Sequence, residues 1–164
     1  MIELNQRLSM KLIDQLDLKE HIEGGYFART YQSSMQSGER PSMTSIFYML
    51  TNDRPVGHFH KNKSDIMHYF HLGSPIVYLT ISPEGQLEKF TLGPDMLQGH
   101  SLQLLVKGGY WKASILESGE FGLLSEAVTP GFDYKDMTIA LPEMLQTQFP
   151  HLWDQVSPYC KMTV

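Results

Sequence analysis

Residues 57–73, GHFHKNKSDIMHYFHLG, contain four of the seven histidines of the chain. His58 and His60 stand two residues apart before the polar bend KNKSD, and His68 and His71 follow it. Strand-forming residues on both sides of this bend predict two strands joined by an exposed turn. Chance would scatter the histidines along the chain, so the segment is also the first candidate for chemistry.

Short strand-forming runs continue outward from this segment in both directions. They cover residues 44–50 (TSIFYML), 76–82, 86–92, 102–106, 110–116, 121–128 and 137–140, and turns containing Gly or Pro separate most of them. The turn PEG at residues 83–85 predicts a hairpin between two of these runs. Many short strands with such turns are typical of a β-sandwich or a small barrel.

Helices are predicted only at the two ends of the chain. The apolar residues near the start recur at helical spacing and predict an amphipathic helix, with Leu4, Leu8, Leu12, Ile13 and Leu16 on its buried face. Pro142 suits the first position of a second helix that runs to about Phe149. We therefore predict a single domain over residues 1–164, with an N-terminal helix at 1–18, a barrel at 21–140 and a C-terminal helical tail at 142–164.

The composition excludes several classes of function. The net charge is −5 and no basic run is present, which argues against nucleic-acid binding. No apolar stretch has the length of a membrane span, and the start MIELNQRLSM lacks the pattern of a signal peptide. The single cysteine, Cys160, cannot form an intrachain disulfide. We therefore expect a cytoplasmic protein that has neither nucleic acid nor membrane as a partner.

Several motifs resemble, in the same order, those of one cupin family long catalogued as a domain of unknown function. They are HIEGGYFARTYQSS at 21–34, TSIFYML at 44–50, HFHKNKSDIMHYFHLG at 58–73, VKGGYWKA at 106–113 and VTPGFDYKD at 128–136. The resemblance implies an all-β fold, a double-stranded β-helix (jelly-roll) barrel, and commonly a homodimer. It also implies a fold-level likeness to nucleotide-sugar epimerases and isomerases.

The sequence departs from the family pattern at positions where chemistry would be placed. Ile66 follows Asp65 where the family usually has Glu, and His68 stands where Trp is usual. Arg29 replaces an acidic residue, and Lys107 replaces a Pro before the glycines of the second barrel motif. These changes bear on whether the chain inherits a catalytic role from the family, and they leave the expected fold unaffected.

A metal centre is the first chemical hypothesis for the histidine segment. In a strand, His58 and His60 share one face, so their imidazoles suit a single metal ion. His68 is the candidate third ligand in place of the missing Glu, and Asp65 is the alternative. A histidine-rich site with few carboxylates favours a divalent transition metal such as Zn, Ni, Mn or Fe. The alternative is that the histidines bind a ligand and no cofactor is present.

A metal-free enzyme would need a general base and a general acid. His60 is the candidate base, and Tyr31 or Tyr48 the candidate acid on a neighbouring strand. Both tyrosines could equally belong to the wall of the barrel.

Four further residues are candidates for contacts with a ligand. Arg29 and Lys107 could recognise an anionic group or could be solvated charges at the rim. Trp111 could line the mouth or pack in the core, and the family resemblance adds Gln103. The leading hypothesis is an uncharacterised cupin that binds a small polar molecule (sugar-, nucleotide- or acid-like), with isomerase or epimerase activity. The alternatives are a non-catalytic ligand-binding or sensing cupin and a metal-dependent oxygenase.

Overall fold

The computed structural model describes residues 2–34 and 39–162, which form mainly short β-strands. In chain order the elements are α1 (Ile2–Gln15), β1 (Lys19–Glu20), β2 (Tyr26–Gln32), β3 (Thr44–Thr51), β4 (Val56–Lys61), β5 (Asp65–Gly73), β6 (Ile76–Ile81), β7 (Leu87–Leu92), β8 (Gln103–Val106), β9 (Trp111–Ile115), β10 (Phe121–Thr129), β11 (Thr138–Ile139), α2 (Pro142–Gln148) and α3 (Trp153–Val156). Single 3-10 turns occur at Met96–Gln98, Tyr134–Asp136, Pro150–Leu152 and Ser157–Tyr159. None of the helices in these ranges is long and apolar enough to span a membrane.

The strands form two antiparallel sheets. The six-stranded sheet has the order β1-β2-β3-β10-β5-β8, and the five-stranded sheet has the order β11-β4-β9-β6-β7. From β3 to β6, and again from β7 to β11, consecutive strands alternate between the two sheets, which is the connectivity of a jelly roll. The predicted all-β jelly-roll barrel with short terminal helices is confirmed. The two-residue strand β1 was not predicted, because two polar residues carry no alternation signal.

The interior of the barrel is filled by every second residue of the facing strands. Tyr48 and Leu50 of β3 pack with Tyr78 of β6 and Leu124 of β10, and all four are buried. Since alternate side chains of a strand point to opposite faces, the intervening residues face outward.

Helices cover parts of the outer face of both sheets. Leu12 and other apolar residues of α1 pack on Met49 and Leu123 of the six-stranded sheet. On the five-stranded sheet, Leu145 of α2 and the segment after it pack on Phe59 of β4. Strand β6 is therefore buried on both faces, which explains its uninterrupted run IVYLTI.

Candidate functional site

A cavity opens at the end of the barrel where β3 and β5 begin and β4 and β10 end. We call it the mouth cavity, and its lining residues are His21, Glu23, Phe27, Arg29, Thr44, Ile46, His60, Asn62, Ile66, Glu126, Val128, Phe132 and Tyr134. Its inner volume, the space open to the centres of water-sized groups, is about 30 Å³, and the empty space counted out to the open rim is about 440 Å³. The cavity combines apolar walls with buried charged groups, which is typical of a binding site for a small molecule.

A tight glycine turn places Glu23 at the cavity. Gly24 and Gly25 have φ of +111° and +66°, and a Cβ on Gly24 would lie 2.0 Å from the carbonyl oxygen of Val56. Only glycine fits such a backbone at this close approach. The Glu23 carbonyl accepts hydrogen bonds from the backbone N–H of His58 (2.6 Å) and from its ring Nδ1 (2.9 Å). The turn is thus fastened to β4, and the Glu23 carboxylate is fixed beside His60.

Glu23 and His60 form a buried ion pair. His60 Nε2 lies 2.8 Å from Glu23 Oε2, and His60 Nδ1 lies 2.8 Å from the His58 carbonyl oxygen. Both ring nitrogens therefore face acceptors, which is the hydrogen-bonding pattern of an imidazolium. Burial alone raises the pKa of the Glu23 carboxyl, but the charge and hydrogen bond of His60, with His21 once acid has protonated it, outweigh burial and lower the pKa to about 2.

His21 stands beside this pair as a neutral imidazole. Its Nδ1 accepts a hydrogen bond of 3.1 Å from the backbone N–H of Glu23, which leaves the ring proton on Nε2. Burial lowers the pKa of His21, although the nearby Glu23 carboxylate opposes that change. His21 therefore adds a hydrogen-bond donor to the mouth cavity without adding a charge.

A second buried cluster joins Lys112, His68 and Glu126 across the interior. Lys112 Nζ lies 2.7 Å from His68 Nε2 and 3.3 Å from Glu126 Oε2, and Lys112 is only 2% exposed. Since an ammonium can only donate, His68 Nε2 accepts, and His68 Nδ1 donates to the Leu104 carbonyl at 3.0 Å. Burial and the Lys112 charge lower the pKa of His68 to about 3, so this ring is neutral.

Asn62 lines both the mouth cavity and a neighbouring hollow beside Lys63 and Gly108, and its side chain carries an unused acceptor. It is 8% exposed, and its Oδ1 has no hydrogen-bond partner in the part of the chain that the structure describes. Buried polar atoms normally have partners, so an orphaned acceptor in a cavity wall indicates a place for a ligand donor.

The predicted metal ligands do not come together. The described residues contain no group of three or more His, Cys, Asp or Glu side chains that could hold a metal ion. His58 and His60 are engaged by the Glu23 segment, while His68 accepts a hydrogen bond from the Lys112 ammonium, which would repel a cation. The alternative ligand Asp65 is exposed, and its carboxylate accepts a hydrogen bond of 2.8 Å from the backbone N–H of Gly108. These residues do not fit a transition-metal centre, and we derive no step through one.

The two candidate acids are placed differently from each other. The Tyr48 hydroxyl is buried and donates to the Gly24 carbonyl at 2.9 Å. Burial, helped by the Glu23 carboxylate, raises the pKa of Tyr48 well above its ordinary value. Tyr31 is 52% exposed on β2 and is not among the residues that line the mouth cavity. The structure therefore gives Tyr48 a role in holding the glycine turn and does not bring Tyr31 to the site.

Of the four candidate ligand contacts, the structure brings only Arg29 to the mouth cavity. Arg29 is exposed at the rim, where its guanidinium donates to Gln32. Gln103 lies exposed on β8, and Lys107 lines a separate hollow with Tyr110. Trp111 is buried on the outer face of the five-stranded sheet, in the layer covered by the C-terminal helices. Three of these four side chains therefore lie outside the cavity.

Two tyrosines of the interior allow one substitution to be compared at two positions. Tyr48→Phe should lower the free energy of unfolding by about 1–2 kcal/mol, because the buried Gly24 carbonyl loses its donor. Tyr78→Phe should leave it unchanged or raise it by up to about 1 kcal/mol, since among the described residues the Tyr78 hydroxyl has no partner. Urea unfolding measures both values. Equal losses in the two variants would contradict these hydrogen-bond assignments.

Comparisons with known proteins agree with this architecture. A family model described as Cupin superfamily (DUF985) matches residues 10–140. An uncharacterised protein of Saccharomyces cerevisiae is 37% identical over 78% of this chain and 73% of its own. A crystal structure from Shewanella oneidensis is 32% identical with a TM-score of 0.88, over 93% of this chain and 97% of that chain.

The chain belongs to this cupin family. A hypothetical protein from Leishmania major shares the fold of this cupin at 25% identity, with a TM-score of 0.86 over 93% of this chain and 98% of that chain. Bacillus subtilis oxalate decarboxylase is 12% identical with a TM-score of 0.57 over 88% of this chain and 37% of that chain, and this likeness shows the fold alone.

Sequence reasoning missed the charged partners of this cupin's histidines. Glu126 alternates with Leu124 and Val128 on the inward face of β10, and Lys112 occupies an inward position of β9. A charged residue at an inward position of an apolar strand is unusual, and this signal was present in the sequence. Glu23 could have been found in another way, because it directly precedes Gly24 and Gly25 in the family motif EGGYF. Asn62 gave no signal before the fold was known.

Proposed function

We propose that this cupin binds a small polar molecule in the mouth cavity. The observation that carries the proposal is that two buried carboxylates, Glu23 and Glu126, line an open cavity while each also contacts a buried cation. Buried ion pairs contribute little net stability compared with apolar packing, so stability alone does not explain them. Ionisable groups with strongly shifted pKa values in a cleft indicate a functional site.

The walls of the cavity suit a ligand that has both an apolar face and a polar end. Phe27 and Phe132, from two different chain segments, belong to the lining together with Ile46 and Val128. A ring compound could pack its faces on such walls while its polar groups reach the buried charges. This arrangement supports sugar-like and nucleoside-like ligands among the candidates.

Thermal unfolding with a panel of sugars, nucleosides, nucleotides and organic acids tests the binding function. A ligand at about 100 times its Kd stabilises the fold by about 2.7 kcal/mol, which corresponds to about 5–10 °C in Tm. Ile46→Trp should fill the cavity and remove this shift. The matched variant Leu105→Trp, at a half-exposed position of β8 outside the cavity lining, should keep it.

Two results would contradict the binding function. One is that no compound of the panel shifts Tm. The other is that Ile46→Trp retains the full shift, which would place binding elsewhere on the molecule.

A second function, isomerase or epimerase chemistry, is favoured by one specific observation. The His60 imidazolium and the Glu126 carboxylate line the same cavity, so one group can donate a proton while the other accepts one. In such a reaction Glu126 would take a proton from a carbon next to a carbonyl, and His60 would return one to the ligand. This assignment replaces the expected base His60 by Glu126. Incorporation of solvent deuterium into a bound ligand, and its loss in Glu126→Gln, tests it.

The homodimer remains a prediction. Leu105 on β8, the last strand in the order of the six-stranded sheet, is 47% exposed, as is Leu72 on the neighbouring β5. Exposed leucines on the last two strands of this sheet are apolar surface that a second copy could cover.

A further inference from the structure

We propose that the ligand of the mouth cavity is an uncharged compound that presents two adjacent hydroxyl groups, as a sugar or nucleoside does. This inference rests on the proposed binding function and names the class of ligand. Three features carry it, namely the charge balance of the cavity, its unused acceptors and its small inner volume.

The charges around the cavity already balance one another. Glu23 is paired with the His60 imidazolium, and Glu126 with the Lys112 ammonium. His21 and His68 are held neutral by the donors that face them. A phosphate or carboxylate placed here would approach two carboxylates, while a ligand cation would find both already neutralised. Burying an uncompensated charge is strongly unfavourable, so the site favours a neutral ligand.

Apart from the His60 imidazolium, which is already paired with Glu23, the buried lining holds no cationic side chain among the described residues. Arg29 is the cation at the rim, but it is exposed and its guanidinium donates to Gln32 at 2.9 Å. Lys107 lines a different hollow. An anionic ligand would therefore have to compete with Glu23 for His60 or pair with Arg29 in water, where ion pairs contribute little.

Two acceptors on residues that line the cavity lack a full set of donors. Asn62 Oδ1 is buried without a partner in residues 2–34 and 39–162. Glu126 Oε1 lies 3.5 Å from His68 Nε2, a nitrogen that already accepts from Lys112. A ligand that satisfies these acceptors must donate hydrogen bonds to them. A buried acceptor without a hydrogen bond is unfavourable.

The small inner volume limits how much of the ligand enters. About 30 Å³ is space for roughly two water-sized groups. Two hydroxyls on neighbouring carbons match this size and supply the donors. The body of the ligand then lies in the wider opening, against Phe27 and Phe132.

The test uses matched compounds and one variant. The compounds are uridine, deoxyuridine and uridine monophosphate, then methyl ribofuranoside, its deoxy form and its phosphate, and the monosaccharides of the wider panel. We expect neutral compounds with adjacent hydroxyls to raise Tm, and their deoxy and phosphate partners to bind at least about tenfold more weakly.

The variant Asn62→Leu gives a second, opposite readout. It removes a buried acceptor without a partner, so the free protein should melt at a higher temperature while the ligand-induced shift is lost. Thr51→Val is the matched control, because Thr51 Oγ1 is also buried without a partner among the described residues but lies outside the cavity. That variant should keep the ligand-induced shift.

The outcomes separate this inference from the binding function on which it rests. Tighter binding of phosphates or carboxylates than of neutral compounds would overturn the inference and leave the binding function standing. Unchanged binding of a neutral diol by Asn62→Leu would also overturn it. If no compound of any class binds, the binding function itself fails.

Discussion

Lys112→Met should lower the free energy of unfolding by about 3–5 kcal/mol at pH 7, as measured by urea unfolding. The reason is that Lys112 is the cation that faces the Glu126 carboxylate, and both groups are almost fully buried. Without the ammonium, Glu126 keeps a charge in an apolar interior, and His68 Nε2 loses its donor. Methionine fills similar space, so lost packing contributes little to the expected effect.

An exposed ion pair provides the matched control for this substitution. Lys89 and Glu117 are 3.2 Å apart, with side chains 58% and 57% exposed. Lys89→Met should change the free energy of unfolding by less than about 1 kcal/mol, because solvent screens the pair. The double variant Lys112→Met/Glu126→Leu should recover at least half of the loss, since no buried charge remains unpaired. Equal effects at Lys89 and Lys112 would refute the buried ion pair as the cause.

Acid should destabilise the protein through His68 well before most carboxyl groups are protonated. The pKa of His68 is about 3 in the folded protein, lowered from 6.5 by burial and by Lys112. As the pH falls below 6.5, the unfolded chain binds a proton here that the folded protein does not bind until about pH 3. The contribution of His68 to stability is therefore complete above pH 6.5 and falls by about 3 kcal/mol between pH 7 and pH 4.

The variant His68→Gln isolates this contribution. Its amide oxygen can still accept from Lys112, but the side chain does not titrate. Urea unfolding at pH 7 and pH 4 should show a loss smaller by about 3 kcal/mol in the variant than in the wild type. The Glu23 carboxyl has a pKa of about 2, so its contribution to the free energy of unfolding also falls in acid. That fall is equal in both proteins. The same loss in both would refute the assignment to His68.

The fold followed from local signals, whereas the site did not. The Gly- and Pro-rich turns and the strand-forming runs between them predicted the barrel, and Pro142 begins α2 as predicted. The spacing of His58 and His60 drew attention to the right segment. It could not show that the partner of His60 is Glu23, because that contact depends on how the glycine turn docks on β4.

The metal hypothesis illustrates why spacing alone was insufficient. Two histidines on one strand suit a metal as well as a carboxylate partner, and the choice depends on neighbours from other strands. Glu23 arrives from the segment before β2, and Lys112 arrives from β9. Each imidazole is engaged by a residue distant in sequence, so its hydrogen-bonding state became clear only when the sheets were assembled.

The layered core also determines which optical signals report on which part of the molecule. Trp111 and Trp153, the two tryptophans of the chain, both lie in the layer between the five-stranded sheet and the C-terminal helices. Tyr48 and Tyr78 lie inside the barrel. Indole fluorescence therefore follows the detachment of the C-terminal helices, while the Tyr48 and Tyr78 contribution to phenol absorbance follows the barrel interior. Coincident transitions from the two chromophores would show that these layers unfold as one cooperative unit.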